Sequence, residues 1–203
     1  MTKTISRRAC LRCTGAAAVL LGNACAGHAV PHGPFCRYSL REGWSHSPAS
    51  GYTLLRVAGP DDPSGVPQAT RRIVRALSFA DSFEIRITEG QDNASTTIEN
   101  GRRIMTIDVG FLQNVNRWAS TKWAAIQVLA HEVGHHLGRW DDPHQSELDA
   151  DYWSGRALGA LGAARPAASA SILAIGTEFD TRSHPNKFAR ARAIERGWDD
   201  AAG

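Results

Sequence analysis

Residues 123–138 read Trp-Ala-Ala-Ile-Gln-Val-Leu-Ala-His-Glu-Val-Gly-His-His-Leu-Gly, the most strongly patterned segment of the chain. Its apolar residues recur at helical spacing, so we predict one helix over residues 121–137 that ends at Gly138. Gly134 disfavours a helix by about 1 kcal/mol relative to Ala, so we expect another element to pack closely against it. The predicted buried stripe of this helix consists of Ile126, Ala130, Val133 and Leu137.

The helix carries an H-E-x-x-H pattern. His131 and His135 lie four residues apart, which places both imidazoles on one face, where they can bind one zinc ion at about 2.0–2.1 Å. Glu132 lies about 100° around the helix, where a general base can contact a metal-bound water. His136 points about 100° away from His135, so we expect it to support the site or to face solvent and not to be a ligand. The alternative is an amphipathic helix with solvent-facing histidines.

A hydrolytic zinc site needs a third protein ligand and one open position. Asp141 would complete a metzincin-like H-E-x-x-H-x-x-G-x-x-D pattern, and His144 is a second candidate. Glu147 opens the segment Glu-Leu-Asp-Ala-Asp on the next predicted helix, where it shares a face with Asp151. We expect Glu147 to be the ligand, because a metzincin requires a methionine downstream of the site and both methionines of this chain precede it. Asp151 would then orient a ligand histidine.

The pattern along the rest of the chain predicts an α+β domain, because strand-like segments precede helical ones. The alternating segments predict strands over residues 52–57, 83–87, 94–99 and 103–109. The last two flank an Asn-Gly turn signal and should pair as a hairpin. The helical segments predict helices over 68–79, 146–161, 166–175 and 185–196. We therefore expect a small antiparallel sheet or hairpin packed on the histidine-bearing helix, with a helical C-terminal half.

Residues 1–26 have the features of an export signal. The segment Ser-Arg-Arg-Ala-Cys-Leu-Arg at residues 6–12 is similar to the twin-arginine motif, and an apolar run follows at residues 15–21. Ala24-Cys25-Ala26 has the pattern of a cleavage site. We expect a twin-arginine-type signal that directs the protein to the periplasm or out of the cell.

The predicted organisation is a signal peptide at 1–26, a loop-rich arm at 27–66 and the folded domain at 67–203. Cys25 is a candidate for a lipid anchor, as in bacterial lipoproteins. Three of the four cysteines lie in the leader, so we expect no disulfide framework in the domain. No later segment reaches the roughly 20 apolar residues that a transmembrane helix needs.

The composition is that of a folded protein, with 42% hydrophobic and 21% charged residues. The net charge is +3, but residues 1–26 hold four basic residues and no acidic ones. The predicted domain is therefore close to neutral and has no clustered basic stripe. We expect no nucleic-acid partner.

The motifs His-Glu-Val-Gly-His-His and Glu-Leu-Asp-Ala-Asp together resemble the gluzincin zinc metallopeptidases of the HtpX and CAAX-prenyl-protease type. In that family the two histidines and the glutamate that opens E-x-x-x-D bind zinc, and the glutamate within H-E-x-x-H is the base. The resemblance implies that His131, His135 and Glu147 bind zinc, that Glu132 is the base and that Asp151 lies behind a zinc-bound histidine.

Two further segments are similar to the same family. His184-Pro185 followed by Arg190 matches an H-P…R motif, and Asn93-Ala94 matches the start of a strand beside the cleft. Most family members lie in membranes, whereas this chain has no predicted transmembrane helix. Intramembrane substrates are therefore not expected.

These features predict a zinc endopeptidase that acts on proteins or peptides of the cell envelope. His184 is the candidate donor to the developing oxyanion, with Tyr152 in reserve, and the hairpin edge would bind an extended peptide. Three alternatives stay open. They are a non-catalytic metal-binding envelope-assembly protein on the same scaffold, a metzincin-like protease that uses Asp141, and a metal-dependent hydrolase of other substrates.

Overall fold

The computed structural model describes residues 53–80, 82–138 and 142–203, which all belong to one structural unit. The export signal, the lipid-anchor candidate Cys25, most of the N-terminal arm and the ligand candidate Asp141 lie outside the described residues.

Four strands and six helices are present in these parts of the chain, and about half of the described residues are helical. The strands are β1 (Thr53–Val57), β2 (Phe83–Glu89), β3 (Ala94–Glu99) and β4 (Arg102–Asp108). The helices are α1 (Val66–Ala76), α2 (Val109–Trp118), α3 (Trp123–Gly134), α4 (Pro143–Ala160), α5 (Arg165–Ile175) and α6 (Lys187–Ala202). The predicted α+β class is confirmed. Within the described ranges, no helix has the combination of length and apolar character that crossing a bilayer requires.

The four strands form a mixed sheet in the order β1-β2-β4-β3. The β3–β4 hairpin is antiparallel as predicted, and β1 also pairs antiparallel with β2. Of the expected small antiparallel sheet or hairpin, the hairpin is present, but the sheet as a whole is mixed because β2 and β4 pair in parallel. After β2 the chain turns and forms β3 at the edge of the sheet, leaving room for one strand beside β2. The hairpin then places β4 in that position, between β2 and β3. Alternating hydrophobicity reports the faces of each strand but not this order.

Helix α3 is buried on almost every side. It packs against β3 and against α1, α2, α4 and α5. Ala130 and Val133 of the predicted apolar stripe are fully buried and Ile126 is partly buried, but Gln127, His131 and Glu132 on other faces are completely buried as well. In a surface helix the polar side chains face water. In α3 they face other parts of the protein instead.

Close helix packing at glycines sets the position of α4. A Cβ on Gly134 would lie 2.6 Å from the carbonyl oxygen of Ala150, so α3 and α4 touch backbone to backbone there. This confirms the expected close approach at Gly134. A Cβ on Gly155 would overlap the carbonyl oxygen of Ile194, which brings α4 equally close to α6. The three helices that carry the candidate residues are thus held in direct contact.

Helix α2 is the element that the sequence pattern did not predict. Its N-cap is Asp108, the last residue of β4, whose Oδ1 accepts a hydrogen bond of 3.2 Å from the amide of Phe111. The other carboxylate oxygen accepts from the amides of Gln91 and Asp92. The side chain of Asp108 therefore lies at the end of β4, caps α2 and holds the β2–β3 loop. Because β4 leads directly into α2, the sequence has no separate turn signal that would mark the start of the helix.

Candidate metal centre

Helices α3 and α4 bring His131, His135 and Glu147 into one buried group. The Nε2 atoms of the two histidines lie 3.1 Å apart. Glu147 Oε2 lies 3.3 Å from Nε2 of His131, and Oε1 lies 3.6 Å from Nε2 of His135. Ligand atoms at about 2.0–2.1 Å from a tetrahedral zinc ion are separated by about 3.3 Å. The three side chains therefore already have the spacing of a tetrahedral ligand set.

The second nitrogen of each histidine is hydrogen-bonded away from the group. Nδ1 of His131 lies 2.8 Å from Oδ1 of Asp151, and Nδ1 of His135 lies 3.3 Å from the hydroxyl oxygen of Ser146. A carboxylate accepts the Nδ1 proton of His131, which leaves the Nε2 lone pair directed at the group. Asp151 thus lies behind His131, at the position that the sequence predicted for it.

Without a cation, two facing Nε2 lone pairs would repel each other, and a proton resolves the conflict. Burial disfavours a charged His131 ring, but the carboxylates of Asp151 and Glu147 outweigh it and raise the pKa of His131 to about 9. Burial and the nearby charge of His131 lower the pKa of His135 to about 3. These shifts favour a protonated His131 beside a neutral His135, and the facing Nε2 atoms of the two rings lie within hydrogen-bonding distance.

Arg190 on α6 binds the acidic side of the group. Its Nε donates to Oδ2 of Asp151 at 2.7 Å, and its Nη2 lies 3.3 Å from Oε2 of Glu147. Burial alone would raise the pKa of both carboxyl groups, but Arg190 and the histidines lower it. With neutral histidines and all three carboxyl groups ionised, as a bound metal ion requires, Asp151, Glu147 and Glu132 carry three negative charges against the one positive charge of Arg190. One divalent cation would balance the difference, which supports the fit of a metal ion to these residues.

Glu132 is fully buried beside the group. Neither of its carboxylate oxygens has a hydrogen-bond partner among the described residues. Burial raises the pKa of Glu132 to about 8, and the charges of His131, Glu147 and Arg190 also act on it. A buried carboxyl group without hydrogen bonds destabilises the fold. The lack of partners at Glu132 therefore indicates that this group contacts a ligand or takes part in a reaction.

His184 lies at the same group, on the loop that precedes α6. Its Nε2 is 3.7 Å from Oε2 of Glu147, and its Nδ1 is 2.8 Å from the hydroxyl oxygen of Ser183. The backbone amide of His184 donates to Oγ1 of Thr181, which fixes the loop. Burial lowers the pKa of His184, so the ring is neutral at pH 7. Its role as a proton donor stays a prediction.

The other predicted candidates have different partners. His144 donates from Nε2 to the carbonyl oxygen of Thr181 at 2.8 Å, and the hydroxyl of Tyr152 donates to Asp200 near the end of α6. Both side chains are outside the His/His/Glu group. Two contributors had no role assigned from the sequence. Ser146 supports His135, and Arg190, although part of the H-P…R match, gave no sign that it would contact Asp151.

No protein-family model, curated protein sequence or solved structure matches this chain. The resemblance to gluzincin peptidases therefore rests on the residue patterns alone. The structure adds a buried group that could hold a metal ion, formed by the three residues that those patterns selected.

Proposed function

We propose that this chain is a zinc-dependent endopeptidase of the gluzincin type, which hydrolyses peptide bonds of proteins in the cell envelope. The observation that carries the proposal is Glu132, a buried carboxylate without a hydrogen-bond partner beside His131, His135 and Glu147. A site that only binds a metal needs ligands and their supports. It does not need an additional buried carboxyl group whose oxygens lack hydrogen-bond partners.

The donor set favours zinc. Two imidazoles and one carboxylate are the ligands of the thermolysin-type catalytic zinc site, which leaves a fourth position open. Softer metals would favour thiolates, and Mg²⁺ or Ca²⁺ would favour oxygen donors only. His131 and His135 supply the imidazoles here, and Glu147 supplies the carboxylate.

In the proposed reaction, a zinc ion when bound polarises the scissile carbonyl and lowers the pKa of water. Glu132 accepts the proton of the attacking water and returns it to the leaving amine. The hydroxyl of Ser183 can donate to Nδ1 of His184, so that Nε2–H faces Glu147 and can donate to the carbonyl oxygen as negative charge develops. Arg190 and Asp151 hold His131 in the required tautomer.

The proposed substrate is an extended segment of a protein. Strand β3 is an edge of the sheet and packs against α3. An edge strand can pair with an extended peptide through backbone hydrogen bonds, without requiring a particular sequence. The location in the cell envelope rests on the export signal that residues 1–26 predict.

Metal analysis combined with digestion of unfolded casein tests this proposal. We expect about one zinc ion per chain and cleavage that ortho-phenanthroline abolishes and added zinc restores. The non-chelating meta isomer of phenanthroline is the matched control and should have no effect. Cleavage that persists after complete removal of metal would contradict the proposal.

A second candidate is a non-catalytic metal-binding protein of the envelope on the same scaffold. The observation that favours it is burial, because His131, Glu132, His135 and Glu147 are each at most 3% exposed. Among the residues that face the group, the side chain of His184 is the most accessible, at 17%. Tight zinc binding without cleavage of any unfolded protein, and with no effect of Glu132→Gln, would support this second candidate.

A further inference from the structure

His136 follows the proposed ligand His135 in the sequence, yet its ring faces the sheet. Nε2 lies 2.6 Å from the hydroxyl oxygen of Thr96 on β3, and Nδ1 lies 2.9 Å from Nη1 of Arg103 on β4. The ring also makes an edge contact with Phe83 on β2, with centroids 5.1 Å apart. One buried side chain in the turn after α3 therefore contacts three of the four strands.

The hydrogen bonds define the state of this ring. The hydroxyl of Thr96 donates to the carbonyl oxygen of Ile104 at 3.1 Å, so it must accept from Nε2–H of His136. The guanidinium of Arg103 can only donate, so Nδ1 of His136 must accept. The ring is thus neutral with its proton on Nε2. Both nitrogens are used in contacts with the sheet, which explains why His136 is not a metal ligand.

Thr96 lies in the middle of β3, opposite Met105 of β4. Strand β3 is the edge strand of the described sheet on this side. The ring of His136 therefore joins the turn that presents His135 directly to the centre of the edge strand. A displacement of β3 away from α3 by more than about 1 Å would break the bond between Thr96 and His136.

We propose that His136 is a positioning residue, which holds β3 in register with His135 so that a peptide paired with β3 presents its backbone to the metal group. That the bound molecule is a peptide rests on the proposed function. The contact between His136, in the turn after α3, and Thr96 on β3 does not depend on it. A paired peptide lies about 4.8 Å from the edge strand, so the position of β3 determines the position of the scissile bond. A misplacement of about 1 Å can cost about 100-fold in rate.

Two substitutions separate the hydrogen bonds of His136 from its volume. His136→Phe keeps a ring against Phe83 and removes both hydrogen bonds. His136→Gln supplies an amide donor and an amide acceptor and should restore much of the link. Thr96→Val removes the partner hydroxyl at nearly constant shape. The matched control is Thr88→Val, which removes a buried strand hydroxyl that contacts Gln91 instead of α3.

The first measurement is hydrogen exchange of the β3 amides in the zinc-loaded proteins, together with zinc titration by calorimetry. We expect His136→Phe and Thr96→Val to speed exchange of residues 94–99 about tenfold, as expected for the loss of one buried hydrogen bond. Zinc affinity should change less than about twofold, because the ligands and their supports are intact. Thr88→Val should leave β3 exchange unchanged. Unchanged β3 exchange in His136→Phe would contradict the positioning role.

The second measurement is binding of labelled casein peptides to zinc-loaded protein with Glu132→Gln, which prevents turnover. A ten-residue peptide can extend along β3, whereas a tripeptide cannot. We expect His136→Phe to weaken binding of the ten-residue peptide about tenfold and of the tripeptide less than about twofold, with partial recovery in His136→Gln. Equal losses for both peptides would overturn the proposal. A parent protein that binds neither peptide would instead contradict the proposed function, while hydrogen exchange still tests the link.

Discussion

Nδ1 of His131 and Oδ1 of Asp151 lie 2.8 Å apart in a pair whose side chains are completely buried. The same carboxylate accepts from Nε of Arg190 through its other oxygen. This chain of contacts links α6 to the histidine that faces Glu147. The orientation of one proposed ligand therefore depends on all three of α3, α4 and α6.

Asp151→Asn should weaken zinc binding by about 10- to 100-fold, the usual cost of losing a hydrogen-bonded support behind a ligand histidine. The amide keeps the size of the side chain but can present its NH₂ group to Nδ1 and favour the wrong tautomer. Calorimetric titration with zinc measures the change. The matched control is Asp149→Asn on the same helix, whose side chain accepts from Gln145 at the surface and should matter little. Equal affinity in Asp151→Asn and wild type would contradict this role.

Glu147→Ala should lower zinc affinity more than about 100-fold, beyond the loss typical of a supporting residue, because two histidines alone hold zinc weakly. Asp141→Ala and His144→Ala should each lose less than about tenfold. His144 is hydrogen-bonded to Thr181 and is outside the group. The same titration ranks the three variants. If Asp141→Ala loses zinc while Glu147→Ala keeps it, the metzincin-like ligand set replaces the gluzincin one.

Gly134→Ala should lower the free energy of unfolding by about 1–3 kcal/mol, although Ala is the better helix former. The added Cβ would meet the carbonyl oxygen of Ala150 and push α4, with Glu147, away from α3. Urea denaturation measures stability, and zinc affinity should fall as well. Gly59→Ala is the control, because nothing lies within 4 Å of a Cβ there and its effect should stay within about 0.5 kcal/mol.

Zinc binding at pH 7 should release at least about one proton per ion. In the absence of metal the pKa values of His131 and Glu132 are raised to about 9 and about 8, so both groups hold a proton that a cation displaces. Affinity should therefore rise as the pH increases towards 9. Calorimetry in buffers with different ionisation enthalpies counts the protons. A binding enthalpy that is the same in all buffers would show that zinc displaces no proton from His131 or Glu132, and would contradict this prediction.

Local patterns were sufficient to predict much of the centre. The spacing from His131 to His135 and from Glu147 to Asp151 depends only on helical geometry, and the β3–β4 hairpin depends on a turn signal. The parallel pairing of β2 with β4 did not follow, because an alternating pattern carries no information about strand order. The contact between Arg190 and Asp151 depends on the close packing of α4 against α6 at Gly155, a tertiary property.

The same limit applies to burial. The pattern around Ile126 predicted one buried stripe, but five other elements surround α3 and bury its polar residues as well. The helical angle of His136 left a supporting and a solvent-facing position open, and its bond to Thr96 depends on the position of the sheet. Sequence periodicity thus identified the three residues of the buried group, and the packing of distant segments determined which residues contact them.

The most direct test of the proposed peptidase is the pair of measurements on Glu132→Gln, zinc content and casein cleavage. The substitution keeps the size of the buried side chain and removes its capacity to accept a proton. Glu195→Gln, at a side chain that pairs with Arg165, is the matched control and should behave as wild type. We predict that Glu132→Gln retains zinc with wild-type stoichiometry and cleaves casein at least about 100-fold more slowly. Wild-type cleavage by the zinc-loaded Glu132→Gln protein would contradict the account.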